Sequence, residues 1–308
     1  MGQYVYGPVP SRRLGRSLGL DLVPYKTCTY DCIYCQLGKT PSRTVERKAW
    51  VPIDEVAEEA IQALDRNPDY ITLSGSGEPT LCTGLDRLIG RIKEATSTPV
   101  AVITNGSLLW QKQVREELMD ADLVVPSLDA GDETTFRHVN RPHGSLSFER
   151  MLEGLIALRR EFTGEYWLEV FILGGITSSD AQIEKIARCV DRIQPGRIQL
   201  NTVTRPPAVG YARPASPQRM AELAMRFDPP AEVIADFAGE SPDADVAATR
   251  EEVLEMLRRR PCSVADVASG LGTHPNEIIK HLDQLGQEDL VVQSRSGDTL
   301  YYSARPRA

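Results

Sequence analysis

Three cysteines stand within eight residues near the start of the chain. Cys28, Cys32 and Cys35 have a C-x3-C-x2-C spacing, and thiolates are soft ligands that select zinc, copper(I) or iron–sulfur clusters. A structural zinc site takes four ligands, but the next cysteine is Cys82 and the first histidine is His138. Three thiolates on a [4Fe–4S] cluster leave one iron open to a substrate or cofactor. The spacing favours such a cluster over the alternatives, which are a chance grouping of three cysteines and a zinc site completed by a distant ligand.

Polar motifs follow a series of short apolar runs. The motifs are SGSGEPTL at 74–81, ITNG at 103–106, PSLDA at 126–130 and QLNTVTRPP at 199–207. The runs lie at 18–23, 70–75, 100–105, 123–128, 167–173 and 197–202, with a candidate seventh at 231–237. Amphipathic segments at 53–65, 84–96, 147–162 and 180–193 separate them, which predicts repeated β-α units around a parallel sheet. Loops after parallel strands meet at one end of the sheet, so we expect the cysteines and motifs to form one site.

Together the cysteines and motifs resemble those of the radical S-adenosylmethionine (SAM) superfamily. The order and spacing of the motifs and the aromatic Tyr34 before the last cysteine carry the resemblance. The opening GPVPSRRLGRSLGLDL, HVNRPHGSLSF at 138–148 and RPP at 205–207 resemble a group of uncharacterised radical SAM proteins related to the tRNA wybutosine-synthesising branch. The resemblance covers residues 5–237 and implies a partial (β/α)6 TIM-like barrel.

The resemblance implies two cofactors, a [4Fe–4S] cluster and SAM, and an electron donor such as reduced flavodoxin or ferredoxin. The reduced cluster would cleave SAM to a 5′-deoxyadenosyl radical that abstracts hydrogen from a substrate, while the protein positions the reactants. The sequence leaves the substrate open among a nucleotide, an RNA and a peptide, and it assigns no catalytic residue.

The resemblance also implies a set of cofactor-binding residues. They are Tyr34, Gly75, Ser76, Gly77, Glu78, Asn105, Ser127, Asp129 and Asn201. Glycines allow the backbone a close approach to the methionyl amine of SAM, and Ser127 and Asp129 suit the ribose hydroxyls. The alternatives are a plain strand-to-helix turn for 74–79, a helix cap for Ser127 and Asp129, a turn residue for Asn105 and a buried core amide for Asn201.

Other residues give weaker signals. Glu169 lies inside an apolar run, where a carboxylate requires a partner, and we expect a SAM or substrate contact or a structural role. Arg205 suits an anionic substrate group or a structural ion pair. Cys82, Cys189 and Cys262 form no second C-x2-C group, so we expect them to be buried free thiols and the chain to hold a single cluster.

The composition is that of a soluble globular protein. The 308 residues are 41% hydrophobic and 25% charged, with a net charge of −8, which argues against a surface generally basic for nucleic acid. No apolar stretch reaches the roughly 20 residues of a membrane helix. The N-terminus lacks the apolar core of a signal peptide, which predicts a cytoplasmic protein without membrane partners.

The chain divides into three predicted parts: a barrel at 1–237, a small, acidic, proline-containing linker at 238–248 and a separate unit at 249–308. The last part predicts three short helices and a hairpin around an SGD turn, which resembles a winged helix-turn-helix domain. DNA is the usual partner of such a domain, but residues 247–308 carry eight Lys and Arg against nine Asp and Glu. This balance favours docking of protein or substrate. The alternative function is a SAM- or redox-responsive iron–sulfur regulator that binds DNA through this domain.

Overall fold

The computed structural model describes residues 3–11, 13–235, 249–297 and 299–305. The predicted linker at 238–248 lies outside these residues. The last two residues of the candidate seventh strand, 236 and 237, also lie outside them.

The main unit is built on one eight-stranded, mostly parallel sheet. In chain order the strands are β1 (Val5–Ser11), β2 (Gly15–Asp21), β5 (Tyr70–Ser74), β6 (Val100–Thr104), β7 (Leu123–Pro126), β8 (Glu165–Ile172), β9 (Arg197–Thr202) and β10 (Glu232–Val233). They are hydrogen-bonded in that same order. Two short strands between β2 and β5, namely β3 (Thr27–Cys28) and β4 (Ser42–Arg43), form a small parallel pair of their own.

All six predicted apolar runs form strands of the sheet, and the candidate seventh forms the two-residue β10. The sequence did not predict β1, which runs antiparallel to β2 and occupies the edge of the sheet. Proline and glycine disfavour a central strand and are tolerated at edges and bulges. Gly7 and Pro8 lie at such an irregularity, because the pairing register shifts between Tyr6 and Val9.

The helices pack their apolar faces on this sheet. The predicted amphipathic segments form α1 (Ile53–Gln62), α2 (Leu85–Ala95), α5 (Phe148–Glu161) and α6 (Asp180–Ile193). The structure adds the shorter α3 (Lys112–Glu116), α4 (Glu133–Val139) and α7 (Pro217–Ala224), and single 3-10 turns at Ala63–Arg66 and Pro79–Leu81. Ser147 and Ser179 accept hydrogen bonds from backbone amides at the starts of α5 and α6, as helix N-caps do.

The C-terminal unit, described over 249–297 and 299–305, forms the three helices and the hairpin that its sequence predicts. They are α8 (Arg250–Arg259), α9 (Val264–Leu271), α10 (Pro275–Gln287), β11 (Val291–Ser296) and β12 (Thr299–Ala304). Capping boxes begin α8 at Thr249 and α9 at Ser263. The segment has its own apolar core, which includes Leu257, Ile278 and Leu285, and Val9 of β1 packs against it. The segment therefore folds around a core distinct from that of the sheet.

No helix among the described residues combines the length and the apolar character needed to cross a bilayer.

Candidate functional site

The cysteine loop, residues 22–41 between β2 and β4, and the loops that follow β5, β6 and β7 meet at one end of the sheet. Asn105, after β6, donates through Nδ2 to Thr29 Oγ1 at 2.8 Å and lies 3.5 Å from Cys28 Sγ. Tyr34 of the cysteine loop donates to Asp129, which follows β7. The backbone amide of Glu78, after β5, donates to Thr27 O at 3.0 Å. This convergence follows from the parallel strand order.

Each of the three cysteine sulfurs receives a hydrogen-bond donor. Besides Asn105, the backbone amide of Tyr30 reaches Cys28 Sγ at 3.5 Å. The Nδ2 atom of Asn140 lies 3.6 Å from Cys32 Sγ, and Nζ of Lys26 lies 3.1 Å from Cys35 Sγ. Donors of this kind surround iron–sulfur clusters and tune their potentials, so this donor set fits a cluster bound by the three cysteines.

Burial makes the cysteine thiolates dependent on a cation. It raises the pKa of Cys28 to about 12, with a further contribution from the nearby Glu78 carboxylate, and it also raises the pKa of Cys32. Buried thiols ionise when a metal supplies positive charge. No three His, Cys, Asp or Glu side chains in the described ranges are arranged around a single ion. A [4Fe–4S] cluster instead takes each cysteine thiolate on a separate iron.

Glu78 is a buried carboxylate that organises the loops around it. Its Oε1 accepts hydrogen bonds from Thr80 N, Thr80 Oγ1 and Thr104 Oγ1 at 3.1, 2.6 and 2.6 Å. Its Oε2 accepts from Asn105 N at 2.8 Å. Burial raises its pKa, and these hydrogen bonds offset part of that rise. Glu78 thereby joins the end of β5 to the end of β6.

The glycine loop, residues 74–78, is packed closely against the start of the cysteine loop. Gly75 has a φ of +109°, and a Cβ there would lie 1.9 Å from Asp21 Oδ1. A Cβ on Gly77 would lie 2.0 Å from Thr27 O. Lys26, itself in the left-handed region at a φ of 58°, donates its backbone amide to Ser76 O at 2.7 Å. Glycine is required at both positions because neighbouring atoms occupy the space of a side chain.

Asp129 lies at the centre of a buried hydrogen-bond network. Its carboxylate accepts from Tyr34 OH at 2.5 Å, from Asn140 Nδ2 at 2.6 Å and from Phe171 N at 3.3 Å. The Tyr34 ring stacks on Phe171 with centroids 3.9 Å apart. Burial raises the pKa of Asp129 to about 6, although the Tyr34 and Asn140 hydrogen bonds oppose the rise. Asp129 therefore positions Tyr34 of the cysteine loop and Asn140, the donor to Cys32.

Glu169 and Asn201 lie on the adjacent strands β8 and β9, and Ser127 directly follows β7. Ser127 is half-buried and bridges to Glu169 across the parallel pair β7–β8. Nδ2 of Asn201 lies 3.3 Å from Oε1 of Glu169, while Arg13 forms a largely buried ion pair with the other oxygen. The carboxylate predicted inside an apolar run thus has an arginine partner, as a buried charge requires.

Sequence reasoning did not single out three residues that shape the site. Lys26 and Asn140 contact cysteine sulfurs, and Asp21 accepts from the glycine loop. Asn140 stands inside the quoted HVNRPH motif and Lys26 two residues before Cys28, which were the available signals. Asp21 lies inside the strand predicted at 18–23, but its partner depends on tertiary contacts.

The remaining cysteines lie away from this site. Cys82 is fully buried and Cys189 of α6 nearly so, both in the main core, and Cys262 is in the C-terminal core. Their surroundings match those of small apolar side chains. Arg205 is also buried, between Asp266 of α9 and Gln36 of the cysteine loop.

Comparison with known proteins gives a family and a fold. A sequence profile of the Radical SAM superfamily matches residues 22–190. A protein of Brachyspira hyodysenteriae named GTPase Obg is 39% identical over 304 residues, which are 97% of this chain but 45% of that protein. A UPF0026 protein of Helicobacter pylori strain J99 is 31% identical over 306 residues, 97% of each chain. The crystal structure of a radical SAM methyltransferase from Sphaerobacter thermophilus shares the fold, with a TM-score of 0.52 at 18% identity, covering 70% of this chain and 66% of that one.

The chain therefore belongs to the radical SAM superfamily, because the profile covers more than half of it. Enzymes of this superfamily use a [4Fe–4S] cluster and SAM, and these are the cofactors of this chain. Over 97% of its length the chain is similar to a UPF0026 protein, whereas it spans less than half of the Brachyspira relative.

Proposed function

We propose that this radical SAM enzyme holds a single [4Fe–4S] cluster on Cys28, Cys32 and Cys35. When bound, the cluster and SAM supply a 5′-deoxyadenosyl radical that abstracts hydrogen from a substrate. The observation that carries the proposal is the donor set: Asn105, Asn140 and Lys26 come from three different segments, and each is directed at a different cysteine sulfur. A reduced flavodoxin or ferredoxin is the proposed electron donor.

The residues around the cysteines bind and orient SAM in this proposal. The glycine loop supplies backbone close to the methionyl group, and Glu78 holds that loop against Asn105. Ser127 is the proposed ribose contact, since its side chain is half-buried. Asp129 acts through Tyr34 and Asn140, which already occupy its carboxylate. Asn201 orients Glu169 at the neighbouring strand.

The proposed architecture is a partial (β/α)6 barrel over 1–237, the linker over 238–248 and a winged helix-turn-helix domain over 249–308, in a cytoplasmic protein. Its proposed relatives are the radical SAM proteins near the wybutosine branch. The near balance of acidic and basic residues in the C-terminal unit disfavours a DNA-binding regulator, since DNA binding requires several phosphate contacts. The substrate class is a nucleotide, an RNA or a peptide, and mass spectrometry of a co-purified ligand distinguishes among them.

Iron analysis of two matched triple variants tests the proposal. Anaerobic reconstitution should give about four iron and four sulfide per chain. Changing Cys28, Cys32 and Cys35 together to Ala should abolish the cluster, whereas changing Cys82, Cys189 and Cys262 together should leave it intact. The wild-type protein reduced with dithionite should release 5′-deoxyadenosine and methionine from SAM. Iron near eight per chain would contradict the single cluster.

A further inference from the structure

The C-terminal unit contacts the main unit through Arg259, the last residue of α8. The guanidinium group lies over the Tyr6 ring of β1, 4.0 Å from its centroid. It also forms an ion pair with Asp21 Oδ2 at the end of β2, and the two side chains are only 18% and 17% exposed. A guanidinium stacked on an aromatic ring and paired with a carboxylate is held in one orientation.

Both partners of Arg259 bind the glycine loop. Asp21 accepts through its other oxygen, Oδ1, from Ser76 N at 2.8 Å and from Ser76 Oγ at 3.2 Å. The Tyr6 hydroxyl lies 3.3 Å from Ser74 Oγ. These contacts flank Gly75, which itself packs against Asp21. A single side chain therefore connects Arg259 to the loop on each side of Gly75: Tyr6 to Ser74 and Asp21 to Ser76.

A second group of contacts joins the C-terminal unit to the neighbourhood of the cysteine loop. Tyr301 OH donates to Thr204 O at 2.6 Å. Arg205, next along the chain, extends to Asp266 of α9 and to Gln36, which follows Cys35 directly. The C-terminal unit is thus fixed at two places, and Arg259 has a defined position relative to the glycine loop.

We propose that Arg259 is a positioning residue for the glycine loop, so that the C-terminal unit sets the affinity of the chain for SAM. The proposal rests on the SAM-binding role proposed for that loop. Arg259 neutralises and orients Asp21, and Asp21 in turn fixes the Ser76 amide. Removing one partner of a largely buried ion pair leaves the other charge uncompensated, so Asp21 would turn toward solvent and release Ser76.

SAM binding to the reconstituted protein tests this role. Arg259→Gln should weaken SAM binding about tenfold in anaerobic equilibrium dialysis, while iron content stays at the wild-type value. Arg259→Lys keeps the charge but not the planar fork, so its SAM affinity should lie between those of the wild type and Arg259→Gln. Arg258→Gln is the matched control, because Arg258 is the preceding residue of the same helix and pairs only with Glu255 within it, as far as the described residues show. Its SAM affinity should equal that of the wild type.

Asp21→Asn tests the link from the other side and does not alter the C-terminal helices. It keeps an oxygen for Ser76 but removes the charge that faces Arg259, so it should lower SAM affinity by a similar factor, and combining it with Arg259→Gln should add little. In protein without SAM, hydrogen–deuterium exchange of a peptide spanning 74–78 should be faster in both variants than in Arg258→Gln.

Two outcomes separate this inference from the proposed function. If wild-type protein binds no SAM, the proposed role of the glycine loop fails. If wild-type protein binds SAM and the Arg259 and Asp21 variants bind it equally well, with unchanged exchange at 74–78, Arg259 does not position the loop.

Discussion

Lys26 is the buried cation closest to the cysteine sulfurs in the described structure. Only 5% of it is exposed, and Nζ lies 3.1 Å from Cys35 Sγ. Reduction adds a negative charge to the cluster, and a nearby ammonium stabilises that charge. At an effective dielectric of about 20, two unit charges about 4 Å apart attract by about 4 kcal/mol. The added electron is spread over the whole cluster, so we expect roughly half of this, about 2 kcal/mol or roughly 100 mV for one electron.

Lys26→Met should therefore lower the midpoint potential of the cluster by roughly 100 mV, measured by redox titration with EPR detection. Lys39→Met is the control, since Lys39 is an exposed residue of the same loop. Equal potentials for the two variants would show that the Lys26 ammonium does not stabilise the reduced cluster.

Asp129 should make stability depend on pH. Its pKa in the folded protein, about 6, exceeds the ordinary value of 3.8, so the fold binds the proton more tightly than the unfolded chain. Asp129 thus contributes stability at low pH that is lost as the pH rises through about 6. In cluster-free protein, the unfolding free energy of Asp129→Asn relative to wild type should rise by about 1–3 kcal/mol from about pH 4 to pH 7. Urea unfolding at several pH values measures this difference, and parallel curves for the two proteins would contradict it.

The contact between the glycine loop and β3 depends on a missing side chain. The Cβ of Gly77→Ala would lie 2.0 Å from Thr27 O, next to Cys28, so the loop must move away from the cysteines. We expect SAM affinity to fall at least about tenfold and the unfolding free energy to fall by about 1–3 kcal/mol.

Gly90→Ala is the control for Gly77→Ala, because it adds the same methyl group where there is space for it. Gly90 lies in α2, and a Cβ there meets no heavy atom within 4 Å. The substitution should stabilise the helix by roughly 0.5–1 kcal/mol and leave SAM binding unchanged. Urea unfolding and equilibrium dialysis of the two variants distinguish a local steric effect from a general cost of an added methyl group. Similar changes in unfolding free energy and SAM affinity for both variants would argue against the close approach at Thr27.

The two units of the molecule have separate apolar cores, and this separation predicts the effect of truncation. The three cysteines and the donors to their sulfurs all precede residue 141. A chain ending at Glu240 should keep about four irons but bind SAM as weakly as Arg259→Gln, because it lacks the same ion pair. Iron analysis and equilibrium dialysis check both expectations. Loss of iron on truncation would instead mean that the C-terminal unit closes the cluster site.

The sequence alone determined the order of the elements and the chemistry of the cysteines. Six apolar runs predicted six strands because buried parallel strands are continuously apolar, and the cysteine spacing limited the metal chemistry. The edge strand β1 was not predicted, since Gly7 and Pro8 interrupt the apolar pattern that indicates a strand. Tertiary structure decided the partners of charged residues far apart in the chain. Asp21 and Arg259 are 238 residues apart, and no local pattern encodes such a pairing, because hydrogen bonds and ion pairs depend on which loops the fold brings together.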